Sequence, residues 1–202
     1  MHALTRLVDL RLKLNNEAGD DRVTARMLSS IQQLTRLELW LCNVEPSVLA
    51  GRTQLQHLTL GCCNVESCSA AWVEQLLSYL QPLQQLTHLN LTYSLQGVEG
   101  DHPPAAAYTA LTASSKLQHL NIHWCMLPLG VWQCIFPAGR PLPNLRYLDL
   151  AYVRQPSRAY APAPEGRHLF SCCPGLQYVD VRGLQCGAEL MALLHGLSAA
   201  LW

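Results

Sequence analysis

The sequence predicts an α/β solenoid in which short parallel strands line one side and helices or irregular crossovers return along the other. Three observations predict it. A segment of the form Leu-x-x-Leu-x-Leu, with Ile or Val at some places, occurs seven times in 202 residues: LVDLRL at 7–12, LTRLEL at 34–39, LQHLTL at 55–60, LTHLNL at 86–91, LQHLNI at 117–122, LRYLDL at 145–150 and LQYVDV at 176–181. Successive starts lie 27, 21, 31, 31, 28 and 31 residues apart, which is the period of stacked repeats. Within a segment, Leu37 and Leu39 or Leu58 and Leu60 are two residues apart and share one side of a strand, while Arg36, Glu38, His57 and Thr59 take the other. Neighbouring parallel strands need a crossover between them, and each spacing leaves room for one.

The crossovers differ in kind. Residues 20–33 carry Val23, Met27, Leu28 and Ile31 at helical spacing behind two acidic residues. Residues 45–54 have space for one turn of helix. The clearest helix follows, where Trp72, Val73, Leu76, Leu77 and Leu80 form an apolar stripe that ends before Pro82, with Ser67 or Ser69 as cap. In 101–114 two prolines suit a helix start and the alanines its interior. The four prolines of 127–144 leave a short helix at 131–136, and 154–166 reads as an extended Pro/Ala loop before a short helix near 166–172. A final helix is expected over about 187–200. No domain boundary interrupts the array, so 1–202 reads as one unit. Terminal repeats need a polar outer face, yet the sequence opens in a leucine-rich unit and closes on Leu201-Trp202. The expectation is a fragment lacking one or both caps, with open ends available to a second copy.

Composition narrows the function. Half the residues are hydrophobic, and 14 basic residues balance 14 acidic ones. That neutrality offers no general attraction to nucleic acid or anionic membrane. There is no run of eighteen apolar residues and no cationic segment ahead of an apolar stretch, so a cytoplasmic chain is expected, a nuclear one being equally compatible. Nine cysteines are an odd number, and Cys62/Cys63 and Cys172/Cys173 are adjacent, which favours reduced thiols over a disulfide framework. The sequon Asn90-Leu91-Thr92 falls within an expected strand. A glycine-rich phosphate loop, a Gly-x-Ser-x-Gly elbow and a His-Glu-x-x-His pair are all absent from the sequence. The chain therefore reads as non-enzymatic and needs no cofactor.

With strand, turn and crossover in place, the chain resembles the leucine-rich repeat family over nearly its whole length. That family extends the Leu-x-x-Leu-x-Leu segment by two variable residues and then Asn or Cys. Here the ninth position holds Asn15, Cys42, Cys63, Ser94, Cys125, Val153 and Leu184, so four units match and three depart. A side chain there would bond backbone groups of the turn. Two neighbouring turns share Cys-Asn-Val-Glu, at 42–45 and 63–66. The unit lengths and cysteine turns resemble the intracellular branches, those of ribonuclease-inhibitor-like and F-box proteins.

The resemblance implies a curved sheet whose concave side displays the outward positions of each strand. Third positions are Asp9, Arg36, His57, His88, His119, Tyr147 and Tyr178; fifth positions are Arg11, Glu38, Thr59, Asn90, Asn121, Asp149 and Asp180. The seventh and eighth add Lys13, Trp40, Leu41, Thr92, Tyr93, His123, Trp124 and Tyr152. At a strand spacing near 4.8 Å the seven strands would span roughly 29 Å, a width that suits another protein. Tyr, Trp and Arg are the residue types richest at interface hot spots. The candidate partner-binding set is therefore Arg36, Glu38, Trp40, His57, His88, Asn90, Tyr93, His119, Asn121, His123, Trp124, Tyr147, Asp149, Tyr152, Tyr178 and Asp180, its aromatics acting as anchors and Asp149 and Asp180 favouring basic or amide groups. The bland alternative is that these rings pack on one another along the ladder.

Two chemical readings compete weakly with binding. His57, His88 and His119 form a column, joined laterally by His123, that could ligate metal, but side chains in a parallel column project side by side instead of converging. His123 and Cys125 are the one sequence-adjacent base and thiol. The function expected is recognition of another protein. Alternatives are the substrate-recognition array of an F-box type ubiquitin ligase, with no F-box helix bundle visible before residue 7, and a GTPase or enzyme regulator, for which Arg36, Arg154, Arg158 and Arg167 could supply a finger.

Overall fold

The structure is a computed structural model that describes residues 7–14, 22–63, 68–96, 102–157 and 159–199. Seven strands form one parallel sheet, β1 (Asp9–Lys13), β2 (Arg36–Trp40), β3 (His57–Gly61), β4 (His88–Asn90), β5 (His119–Asn121), β6 (Tyr147–Asp149) and β7 (Tyr178–Asp180). They lie side by side in chain order. Each occupies the third to fifth or third to seventh positions of its leucine segment, and the register sets equal positions beside each other throughout, as in Leu37↔Leu58↔Leu89↔Leu120↔Leu148↔Val179. This α/β arrangement is compatible with a solenoid.

The fourth and sixth positions of the segments supply the core. Leu37, Leu39, Leu58, Leu60, Leu89, Leu91, Leu120, Ile122, Leu148 and Leu150 are all buried, in one apolar cluster with residues of the crossovers. Each such side chain contributes about 2 kcal/mol relative to exposure. After the short first helix α1 (Ala25–Leu28), α2 (Ala70–Leu80) in the third crossover buries Val73, Leu76, Leu77 and Leu80, the spacing of one helical face. Its cap is Ser69, whose Oγ accepts from the N–H of Trp72 at 3.2 Å, and the helix stops ahead of Pro82. A short helix at Trp132–Ile135 and another at Gly166–Cys172 fall where the sequence placed them. The last helix runs Ala188–Ala199, and Pro46–Leu49 is the expected single turn, in 3-10 form.

Two crossovers depart from expectation. The helix expected over 20–33 is reduced to Ala25–Leu28, behind a two-residue parallel pairing of Arg22–Val23 with Asn43–Val44. Arg52 accounts for the early stop. Its guanidinium is buried and donates to the carbonyls of Leu28 at 2.7 Å and of Ile31, while its Nε reaches Val48 at 2.5 Å. Val23, Leu28 and Ile31 enter the core but Met27 faces solvent. The second departure is Ala105–Thr112, which is 3-10 despite its alanines. Its buried Tyr108 and Leu111 are three apart, and a three-residue period keeps both on the core side. Among the described residues no helix is long and apolar enough to cross a membrane. Of the turn residues named from sequence, Asn15 and much of the second Cys-Asn-Val-Glu phrase lie outside the described residues, as do Ser67 and Arg158.

Candidate functional site

The strand face opposite the buried leucines carries the third, fifth and seventh positions, and the register turns them into three columns. In the first column β3 to β7 contribute five rings that stack in order. His57 and His88 are 5.0 Å apart between centroids, His88 and His119 5.6 Å, His119 and Tyr147 4.0 Å, and Tyr147 and Tyr178 4.4 Å, with interplanar angles of 24°, 20°, 5° and 3°. A strand spacing of about 4.8 Å leaves each ring little choice but to lie over its neighbour. Stacking and the strands beneath strip water from the imidazoles. Burial holds His57 and His88 below the usual histidine range, and it holds His119, with help from the neighbouring imidazoles, down to about 4. Burial likewise pushes the Tyr147 phenol up to about 12, with Asp149 adding to it.

The rings therefore do pack on one another. Stacked parallel rings aim their nitrogens side by side, and among the described residues no three His, Cys, Asp or Glu side chains gather where a metal ion could sit.

The second column behaves differently from the sequence expectation. Asn90 Oδ1 accepts from the N–H of Thr92 at 2.9 Å, Asn121 Oδ1 from His123 at 2.9 Å, Asp149 Oδ1 from Ala151 at 3.0 Å and Asp180 Oδ1 from Arg182 at 3.0 Å. Four successive strands thus end in the same side-chain-to-backbone bond, two residues on, which shapes the turn. Asp149 and Asp180 are 7% and 6% exposed. Burial alone would raise the Asp180 carboxyl, but the bonds and charge of Arg182 hold it below the usual range. These two aspartates are engaged within the chain: Arg182 covers one, and His123 Nδ1 lies 3.5 Å from the other. At the β1–β2 end, Glu38 is the hub of an ion cluster with Arg36, with Arg11 at 3.8 Å and with His57 at 3.2 Å.

Strands β2 to β7 each give way to a residue with positive φ at the eighth position. Leu41, Cys62, Tyr93, Trp124 and Tyr152 have φ between 51° and 57°, and Gly183 has 77°. Side chains seldom adopt this region, so the turn itself imposes it, coil after coil. Backbone bonds carry the ladder past the strand ends, from Tyr93 N to His123 O at 2.9 Å, Trp124 N to Ala151 O at 3.0 Å and Tyr152 N to Arg182 O at 2.7 Å. The left-handed residues Tyr93, Trp124 and Tyr152 consequently project from one edge as a second aromatic group. Trp124 stacks on Tyr152 at 4.9 Å and 17°, Tyr93 tilts toward Trp124 at 6.4 Å, and His123 meets Tyr152 edge-on at 5.6 Å. At the far end Gly183 makes room for this row, since a Cβ there would stand 2.7 Å from Tyr152 Cδ1. Trp40 is separate from the group and covers Gly61, where a Cβ would meet its ring at 2.1 Å.

The ninth position ties coil to coil. Cys63 Sγ lies 3.4 Å from the Leu39 carbonyl, Ser94 Oγ donates to Leu60 O at 2.6 Å and accepts from Cys63 N at 3.0 Å, and Cys125 Sγ lies 3.1 Å from Leu91 O. Ser94, a departure from the turn pattern, makes the same bond to the preceding coil as the cysteines. Val153 and Leu184 have no donor to offer. Burial pushes the Cys125 thiol up to about 12, and His123 turns to the aromatic edge, so that pair is separated. Among the described residues a Cys–His contact forms from Cys172 Sγ to His168 Nε2 at 3.8 Å, within one helix, where the four-residue spacing could have revealed it. His168 Nε2 also bonds the Phe136 carbonyl, which requires it to carry the proton and leaves no base for the thiol. Of the finger candidates, Arg36 is bound to Glu38 and Arg167 to Glu189 at 2.6 Å. Arg154 lies over Trp124, its guanidinium carbon 4.6 Å from the ring centre, and 5.4 Å from that of Tyr160.

Sequence reasoning placed the rings but missed Arg154, Tyr160 and Gln96 as their neighbours. Gln96 Nε2 donates to Trp124 O at 2.6 Å. These three reach the edge from loops, which carry no periodic signal. No family model matches this chain, and neither does a curated protein or a solved structure.

Proposed function

We propose that the chain is a leucine-rich repeat module, of about seven units, whose open strand face recognises another protein and which performs no catalysis itself. The observation that supports this reading is two groups of rings outside the core: five stacked rings from His57 to Tyr178 on the open strand face, and Tyr93, Trp124 and Tyr152 at its edge. Rings already stacked lose little side-chain freedom when a partner covers them, which lowers the entropy cost of association. Tyr93 and Tyr178 remain 36% and 44% exposed, enough to bury against a partner.

The test pairs two double variants in a capture experiment with immobilised chain and native lysate. His88→Ser with Tyr147→Ser on the ring face should lower recovery of the bound protein tenfold or more. Glu74→Ala with Gln75→Ala on α2 should leave it within twofold, both variants retaining the parental circular dichroism. Equal recovery from both would overturn the assignment of the face.

A narrower reading makes the array the substrate-recognition part of an F-box type ubiquitin ligase, which the cysteines at the turn positions 42, 63 and 125 favour. A reading frame extended upstream that encodes a helical bundle and co-purifies with a ligase adaptor would support it.

A further inference from the structure

We propose that the cleft framed by Tyr93, Gln96, Trp124, Met126 and Arg154 receives an acidic side chain of a partner peptide, an Asp or Glu next to an apolar residue. This rests on the reading of the chain as a protein-binding module and names the chemistry of the contact.

The cleft has a volume of about 310 Å³. It is lined by the Trp124 ring, over which the guanidinium carbon of Arg154 stands 4.6 Å from the centroid. Attraction between cation and ring face fixes the guanidinium but uses none of its five N–H donors, which lie in the guanidinium plane. Among the described residues none of those donors has an acceptor, and Nε is buried without one. A charged fork without an acceptor in the chain gains from one that a ligand brings to its open N–H groups. Among the described residues five other arginines are already committed. Arg11, Arg36, Arg167 and Arg182 each have a carboxylate, and Arg52 has its carbonyls.

A fork of fixed N–H donors matches a carboxylate in two parallel bonds. The walls add the rest of the specificity. Tyr93 and Met126 present apolar surface for the neighbouring side chain, and Tyr152 and Tyr160 continue the aromatic edge outward. A nucleic-acid backbone fits less well. The chain has no net charge to draw a run of phosphates. The ligand expected is one carboxylate in an otherwise apolar sequence.

Selection of a displayed random dodecapeptide library on the full chain tests the proposal. The enriched peptides should carry Asp or Glu next to Leu, Ile, Met or Phe, and a synthetic copy with the acid changed to its amide should bind at least tenfold more weakly. Arg154→Gln should cost tenfold or more. Tyr93→Gly, which removes a wall while tolerating the positive φ, should also weaken binding. Arg182→Gln should leave it within twofold, and thermal midpoints establish that each variant is folded. Enrichment of peptides without acids, no enrichment at all, or affinities unchanged by both Arg154→Gln and Tyr93→Gly would overturn the proposal. Neutral peptides released by the His88→Ser/Tyr147→Ser variant would overturn it while leaving the protein-binding reading intact. Binding seen only after Glu99→Gln and Asp101→Asn would assign the cleft to the chain's own acidic segment, which also overturns it.

Discussion

The Ser94 hydroxyl donates to the carbonyl of Leu60, 2.6 Å away on the preceding coil, and accepts from the N–H of Cys63. One small side chain thus satisfies two buried backbone groups 31 and 34 residues earlier in the sequence. Ser94→Ala removes both bonds, and each group left unmet costs about 1–3 kcal/mol. Ser94→Cys restores the turn chemistry of the neighbouring coils and should cost less. Urea unfolding of the two variants checks the order. Equal midpoints for Ala and the parent would show that the bridge adds nothing.

Arg52 carries a second long-range tie, from the loop after the 3-10 turn to the carbonyls that end the first short helix. Arg52→Met keeps most of the stem but abandons three carbonyls, for an expected loss of roughly 4 kcal/mol or more, given that hydrogen bonds from charged donors are worth roughly 1.5–3 kcal/mol each. Arg52→Lys should not rescue it, because an ammonium cannot span three acceptors set for a planar fork. A denaturant series that finds Lys and Arg equivalent would refute the geometric argument.

The stacked imidazoles set the acid response. His57, His88 and His119 are all held below their ordinary range by burial, His119 to about 4. The unfolded chain takes up these protons near 6.5, so between about 6.5 and 4 it binds more protons than the folded chain. Stability therefore rises with pH across that window and is lost as pH falls through it. Thermal midpoints taken from pH 7.5 to 4.5 should fall on acidification. His119→Phe keeps the ring on Tyr147 without the proton site, and its curve should be flatter. A curve as steep as the parent's would remove His119 from the account.

Tyr108 is fully buried and among the described residues its hydroxyl has no hydrogen-bond partner, and burial raises the phenol pKa strongly. Tyr108→Phe deletes the unmet group and keeps the ring. The expected gain is about 1 kcal/mol, read as a higher midpoint in scanning calorimetry. A lower midpoint would mean that the hydroxyl has a role this structure does not display.

The sequence by itself determined the strand face. Leucines two apart along a strand can be buried together only if the residues between them face away, so the columns from Asp9 to Tyr178 and from Arg11 to Asp180 were legible residue by residue, as were α2 and its cap Ser69. Two things showed only in the folded chain. Asn90, Asn121, Asp149 and Asp180 look like free contact groups in sequence, yet each bonds the N–H two residues on, the local turn that short amide and carboxylate side chains form at a strand's end. Arg154, Gln96 and Tyr160 come from aperiodic loops, and only the folded chain lays them against Trp124. Periodic burial is a local rule that a sequence writes plainly; the meeting of a loop cation with a ring some thirty residues away is settled by the stacking of coils.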